Sequence, residues 1–83
     1  MNKMENYLIS KGLKVWEKGE YKRIYIDVCE FGIEKFTINP KSFKGISIYY
    51  NCKDDKFYFS VSNSRKSTIS EYIDYLRNEA EKA

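Results

Sequence analysis

The segment from Leu13 to Val28 constrains the fold most, because it consists of two alternating runs that meet at a turn. The turn is Lys18-Gly19-Glu20, and apolar and polar residues swap at every position on both sides of it. One side of this segment carries aliphatic residues: Leu13, Val15, Ile24, Ile26 and Val28. The other side carries cations and aromatic rings: Lys14, Trp16, Lys18, Tyr21, Arg23 and Tyr25. The pattern predicts a β-hairpin with a core face and a face of rings and cations.

A second pair of alternating runs lies at 46–61. Large apolar residues share one predicted face: Ile46, Ile48, Tyr50, Phe57, Phe59 and Val61. Serines and tyrosines share the other: Ser47, Tyr49, Tyr58 and Ser60. Residues 51–56 contain Asn and Asp, which suit a turn, so we predict a second hairpin. Between the hairpins, residues 33–38 are compatible with a fifth short strand that has Phe36 and Ile38 on one side.

Helices are predicted at both ends of the chain. The first covers 2–11, with Asn2 as its N-cap and Gly12 as a left-handed C-cap. The second begins at a capping box formed by Thr68 and Glu71. Its apolar stripe has helical spacing: Ile69, Tyr72, Ile73, Leu76 and Ala80. We therefore predict an α+β fold, with a four- to five-stranded antiparallel sheet of two hairpins, both helices packed on one face, and the other face open to water.

Composition narrows the range of functions. A length of 83 residues predicts a single domain, 1–83, with a small core. The chain has no histidine, which removes the commonest general base and the commonest zinc ligand. The two cysteines, Cys29 and Cys52, do not form a metal-binding pair, and the four glycines form no phosphate-binding loop. We therefore expect a protein that is not an enzyme and needs no metal or cofactor.

Charge, hydropathy and cysteine content indicate where in the cell the protein is expected. Residues 41–66 carry six Lys or Arg against two acids, whereas residues 67–83 carry two against four. No segment is typical of a signal peptide or a membrane span. Two isolated cysteines in a lysine-rich chain are more typical of a reduced protein. We therefore expect a cytoplasmic location and no membrane partner.

The predicted open face holds candidate partner-binding residues: Trp16, Arg23, Tyr25, Tyr49, Tyr58, Lys14 and Lys18. Trp, Tyr and Arg dominate binding hot spots, and they also stack on bases and pair with phosphates. The alternative is cross-strand pairing that only stabilises the sheet. We favour docking for Trp16, Arg23 and Tyr25, because an uncovered aromatic patch is unfavourable in water. Both interpretations stay open for Tyr49 and Tyr58.

A second group of cations is a candidate anion- or nucleic-acid-binding site: Lys41, Lys44, Arg65 and Lys66. Phe43 lies in the basic loop 41–45, and it either inserts into a partner or, as we favour, folds back on the core edge. Residues 62–66 read as a polar loop, so Arg65 and Lys66 would precede the N-terminus of the last helix. Free amides favour anions there. The alternative is a solvated pair of charges.

The motif from Trp16 to Ile26 resembles a pattern in small proteins of phages and mobile elements, in which a Trp, a Gly turn and a Lys-Arg-Ile-Tyr strand follow a short helix. In size, lysine and tyrosine richness and lack of catalytic groups, the chain is similar to anti-CRISPR and other anti-defence proteins. The resemblance implies a stoichiometric inhibitor of a host nucleic-acid-processing effector in the bacterial cytoplasm. It assigns no role to individual residues. Many such blockers are strongly acidic, whereas this chain has a net charge of +3. Its contact surface would therefore be the aromatic and basic patch or the acidic last helix.

A second resemblance concerns topology alone. A helix, antiparallel strands and a helix are also found in double-stranded-RNA-binding-like folds, which include toxins of the HicA type. The alternative function is therefore a nucleic-acid-binding module that uses the same face with the basic loops. HicA-type toxins need a catalytic histidine in the hairpin, and this chain has none. A third hypothesis is an assembly protein that pairs through an exposed sheet edge.

Overall fold

A computed structural model describes residues 2–83, which form four strands and two α-helices. The elements in chain order are α1 (Lys3–Ser10), β1 (Val15–Lys18), β2 (Tyr21–Asp27), β3 (Ser47–Asn51), β4 (Lys56–Tyr58) and α2 (Asn63–Lys82). All neighbouring strands are antiparallel, and the sheet order is β1-β2-β3-β4. The predicted α+β class and its two hairpins are confirmed, with four strands in the sheet.

The β1–β2 hairpin has the tight turn that the sequence predicts. Lys18 pairs with Tyr21, so Gly19 and Glu20 form a two-residue loop. Gly19 has a φ of +58°, in the left-handed region that glycine enters without a Cβ clash. A glycine in the first position of a two-residue loop matches the right-handed twist of the flanking strands. The turn therefore sets the register of β1 on β2, and with it the face of every side chain in the hairpin.

Both helices lie on the aliphatic side of the sheet, where the core forms. Ile26 on β2 pairs with Ile48 on β3, and both side chains are fully buried. The helices contribute the facing residues: Met4, Tyr7, Leu8, Ile69, Tyr72, Leu76 and Ala80. The period-two pattern of the strands and the helical stripe of α2 therefore meet in one core.

The predicted caps of α1 are confirmed. The side-chain oxygen of Asn2 accepts a hydrogen bond from the Glu5 backbone N–H at 2.8 Å. At the other end, Gly12 has a φ of +91°, and the Leu13 N–H donates to the Leu8 carbonyl at 3.2 Å. This is the six-to-one bond of a Schellman motif, which glycine permits because it adopts the left-handed conformation freely.

The suggested fifth strand at 33–38 is wrong. The segment forms a 3₁₀ helix, Ile33–Lys35, that follows Gly32 in the left-handed region. Ile33 is buried and Phe36 packs edge-on against Tyr72, whereas Ile38 is 105% exposed. In a 3₁₀ helix, residues three apart lie on the same side. Ile33 and Phe36 therefore face the core together. A strand would instead place Phe36 and Ile38 on the same side.

The last helix begins earlier than predicted. It starts at Asn63 with Ser62 as N-cap, so Thr68 and Glu71 lie inside the helix and do not form a capping box. The predicted loop at 62–66 is therefore wrong. The Arg65 N–H donates to the Ser62 carbonyl at 3.0 Å, and the Arg65 guanidinium lies 5.8 Å from the centre of the Phe43 ring. This tertiary contact stabilises a first turn whose Asn and Ser residues favour caps over helix interiors.

A hydrogen-bonded network joins the β3–β4 turn to both helices. The Tyr50 hydroxyl donates to Asp55 Oδ1 at 2.5 Å and accepts from Asn2 Nδ2 at 2.7 Å. Arg77 on α2 donates to the Asp55 carbonyl at 2.8 Å. The Tyr50 hydrogen bond, aided by the nearby Arg77 charge, lowers the pKa of the Asp55 carboxyl below its usual value.

This network predicts a loss of stability in acid. Because the pKa of Asp55 is lowered on folding, its contribution is fully present above the ordinary carboxyl pKa and is lost as pH falls through the lowered value. We expect Asp55→Asn to reduce the acid-dependent part of the free energy of unfolding, measured by urea denaturation across a pH series. Asn tolerates the left-handed φ of +57° at this position.

The matched control is Asp74→Asn, because Asp74 is exposed on α2. It forms no ion pair among residues 2–83. This variant should keep the wild-type pH dependence. An unchanged acid slope in Asp55→Asn would show that the network does not contribute to the pH dependence of folding.

Candidate functional site

The outer face of the sheet carries a row of four aromatic rings, one from each strand, which we call the aromatic row: Trp16, Tyr25, Tyr49 and Tyr58. Successive ring centroids are 6.3, 5.5 and 5.2 Å apart. Strand register produces the row, because Tyr49 lies opposite Tyr25 on one side and opposite Tyr58 on the other. Trp16 lies diagonal to Tyr25, since its direct partner is Arg23. The predicted face therefore forms a continuous band across the sheet.

Arg23 lies beside the row and is held by three tyrosines. Its guanidinium carbon is 4.4 Å from the Tyr49 ring centre and 4.9 Å from the Tyr21 ring centre. Its Nη1 donates to the Tyr25 hydroxyl at 3.2 Å, and this hydrogen bond raises the pKa of Arg23. The cation is thus positioned before any partner arrives, which reduces the entropy lost on binding.

The ring at the β4 end of the row, Tyr58, is also held in a fixed orientation. The Tyr58 hydroxyl donates to the Asp54 carboxylate in the β3–β4 turn, and this bond raises the pKa of Tyr58. Tyr58 stacks on Tyr49 with an angle of 16° between the ring planes. Trp16, at the opposite end, is 43% exposed. The row combines restrained rings with substantial exposed aromatic area, which is typical of a docking surface.

A shallow depression of about 720 Å³ lies where the two hairpin turns meet this face, and we call it the turn-end depression. Its lining residues are Trp16, Lys18, Gly19, Glu20, Tyr21, Arg23, Asn51 and Lys53. Three of them are cations and one is a carboxylate. Within the described range 2–83, none of these three cations forms an ion pair. The depression therefore has uncompensated positive charge beside aromatic walls.

The structure brings most of the candidate partner-binding residues together. Trp16, Arg23 and the three row tyrosines form one patch, and Lys18 lies on the rim of the depression. Lys14 is exposed just before β1, at the opposite end of that strand from the turn.

Sequence reasoning missed Asn51 and Lys53. The pairing of Asn51 with Arg23 could have indicated them, but it depends on the register between separate hairpins.

The second group of predicted cations lies elsewhere. Lys41 and Lys44 are exposed around a 3₁₀ helix, Pro40–Phe43, and Phe43 is buried, as favoured from the sequence. Arg65 and Lys66 lie within α2 and not before it, so their predicted place ahead of the helix N-terminus is wrong.

These four cations also lie far from the turn-end depression. The segment that joins β2 to β3 leaves the sheet at the end opposite to both hairpin turns, because the strands are antiparallel. Lys41 and Lys44 belong to this segment, and the Arg65–Phe43 contact places the start of α2 beside it. The two groups of cations therefore do not form one surface.

An ion pair with a buried carboxylate lies on the helix side of the sheet. Glu5 is 3% exposed, and its Oε2 lies 3.2 Å from the Nζ of Lys22. Burial, together with the Glu5 carboxylate, raises the pKa of the Cys52 thiol to about 11. At neutral pH, Cys52 is therefore a thiol and not the nucleophilic thiolate.

Neither a metal cluster nor a membrane-spanning helix is found in residues 2–83. No three Cys, Asp or Glu side chains in this range are grouped to hold a metal ion. No helix in the described chain has the length and apolar character needed to cross a bilayer.

Comparisons with protein-family models, with curated proteins and with solved structures each gave no match.

Proposed function

We propose that this protein is a non-enzymatic binding protein that docks a macromolecular partner on the outer face of its sheet and acts as a stoichiometric inhibitor. The aromatic row supports the proposal most directly. Its four rings are contiguous and come from four strands, although the core on the opposite face already holds the sheet to the helices. Exposed Trp, Tyr and Arg in such a cluster provide large, rigid contact area with polar handles.

The geometry favours a folded protein over stacked bases as the partner. Base stacking needs a free ring face. Arg23 covers Tyr49 from the β2 side, and Tyr58 stacks on it from the β4 side. The ring at the centre of the row therefore has no free face for a base, whereas the row as a whole still offers contact area to a folded protein surface.

The resemblance to anti-defence proteins narrows this proposal. The partner would be a host effector that processes nucleic acid, and the protein would block it in the bacterial cytoplasm by occupying a working surface. Nucleic-acid binding is the second candidate, because the cations of the turn-end depression have no ion-pair partner among residues 2–83.

The test compares immobilised wild-type protein with Trp16→Ala and Ile38→Ala in nuclease-treated bacterial lysate. Ile38 is an exposed apolar residue outside the sheet, so it controls for non-specific apolar capture. We expect mass spectrometry to find a protein that wild type and Ile38→Ala retain and Trp16→Ala loses. The purified pair should form a complex of fixed stoichiometry by light scattering, and the effector should lose activity as that complex forms.

Two outcomes would contradict this proposal. Equal capture by wild type and Trp16→Ala would remove the outer face as the docking surface. Binding of a purified oligonucleotide in place of a captured protein, with affinity that falls steeply as salt rises, would favour the second candidate.

A further inference from the structure

The turn-end depression differs from the rest of the outer face in its charge. Lys18 directly precedes the β1–β2 turn, Lys53 lies in the β3–β4 turn, and Arg23 lines the depression between two aromatic rings. At the other end of the same face, Asp27 is exposed opposite Ser47. The far end of the face carries both signs, Asp27 with Lys14, whereas the turn end carries three cations and one carboxylate. A partner with complementary charge would be acidic where it meets the turns.

We propose that the turn-end depression receives an acidic peptide segment of the partner, with a Glu or Asp carboxylate paired to Arg23 and flanked by Lys18 and Lys53. This inference rests on the proposed function and specifies the chemistry of its partner. Guanidinium–carboxylate pairs give charge-assisted hydrogen bonds. Trp16 and Tyr21 supply walls against which the aliphatic part of an acidic side chain packs.

An acidic peptide fits the depression better than a phosphate chain. Glu20 lies on its rim and lowers its net positive charge, whereas a phosphate chain needs many cations in a row for tight binding. Asn51 offers its side-chain N–H as a donor to a peptide carbonyl, since its Oδ1 already accepts from the Lys53 N–H at 3.0 Å. The second group of cations, which a long nucleic acid would need for a continuous track, lies at the opposite end of the sheet.

The chain contains its own reporter for this site, because Trp16 is the only tryptophan and it lines the depression. The probe is a poly-glutamate peptide, titrated into the full chain while the indole is excited selectively. We expect a saturable change in fluorescence that weakens with added salt, as charge pairing requires. Poly-thymidine and inorganic phosphate are titrated in parallel to separate carboxylate from phosphate recognition.

Two charge-reversal variants give the decisive comparison. Lys53→Glu changes an exposed residue of the depression, and Lys11→Glu makes the same charge change at the end of α1 on the helical side. We expect Lys53→Glu to weaken poly-glutamate binding by about tenfold or more and Lys11→Glu to leave it near the wild-type value. Circular dichroism checks that both variants remain folded.

Three results would overturn the inference: no saturable signal with poly-glutamate, equal weakening by both variants, or binding of poly-thymidine in its place. These failures are distinct from failure of the proposed function. If Trp16→Ala abolishes partner capture while poly-glutamate does not bind, the face still docks its partner and only the acidic segment is rejected. If Trp16→Ala captures the partner as wild type does, the docking face itself is rejected.

Discussion

Replacing Trp16 with alanine should weaken partner binding by about 2 kcal/mol or more, roughly thirtyfold in the dissociation constant, while the protein stays folded. Trp16 is on the outer face of β1, and the edge-on contact with Tyr25 is its aromatic packing in the row. Its large exposed area would become buried only in the complex. The substitution therefore removes more contact from the complex than from the free protein.

The measurement is calorimetric titration of the purified partner with wild type, Trp16→Ala and Ile38→Ala. Ile38→Ala removes an exposed apolar side chain outside the sheet and should bind as wild type does. Thermal unfolding followed by circular dichroism reports whether each variant is folded at the titration temperature. If Trp16→Ala unfolds, the indole contributes to the core, and the assignment of the two sheet faces is incorrect.

The two faces of the sheet could be predicted from the sequence because a strand has a period of two. In β2, Ile24 and Ile26 alternate with Arg23 and Tyr25, and this order requires one face inside and one outside. Gly19 then fixes the hairpin register locally, through a turn of two residues. These features depend on residues close together in the chain, so pattern and turn chemistry are sufficient.

The aromatic row could not be predicted to the same degree. The pairing of Tyr25 with Tyr49 joins strands separated by the residues 28–46, and no local signal sets that register. The sequence indicates that both rings face outward, but not that they touch. The same reasoning explains why Lys53 was missed, since its place in the same depression as Arg23 depends on the position of β3 beside β2.

Two local predictions failed because tertiary packing decided between competing patterns. Residues 33–38 contain apolar residues at spacings of both three and two, and packing of Phe36 on Tyr72 selects the 3₁₀ spacing. The first turn of α2 is polar and has low helix propensity. The contact of Arg65 with Phe43 stabilises it as helix. In both cases, the deciding partner lies far away in sequence.

Neighbouring residues on β2 provide the second large expected effect. Ile26→Ala should lower the free energy of unfolding by about 3 kcal/mol, because the side chain is fully buried between the sheet and the helices. Tyr25→Ala, one residue earlier and on the outer face, should lower it by less than about 1 kcal/mol, the scale of an exposed cross-strand pair. Urea denaturation of both variants measures the difference.

The two variants should rank in the opposite order when affinity for the partner is measured in place of stability. Under conditions where Ile26→Ala remains folded, its outer face keeps the aromatic row and should bind the partner with near wild-type affinity. Tyr25→Ala removes the ring that joins Trp16 to Tyr49 and the hydroxyl that orients Arg23, so its affinity should fall at least tenfold. If both variants had equal effects on stability, or on binding, then the inner face would not be specific to folding and the outer face would not be specific to docking.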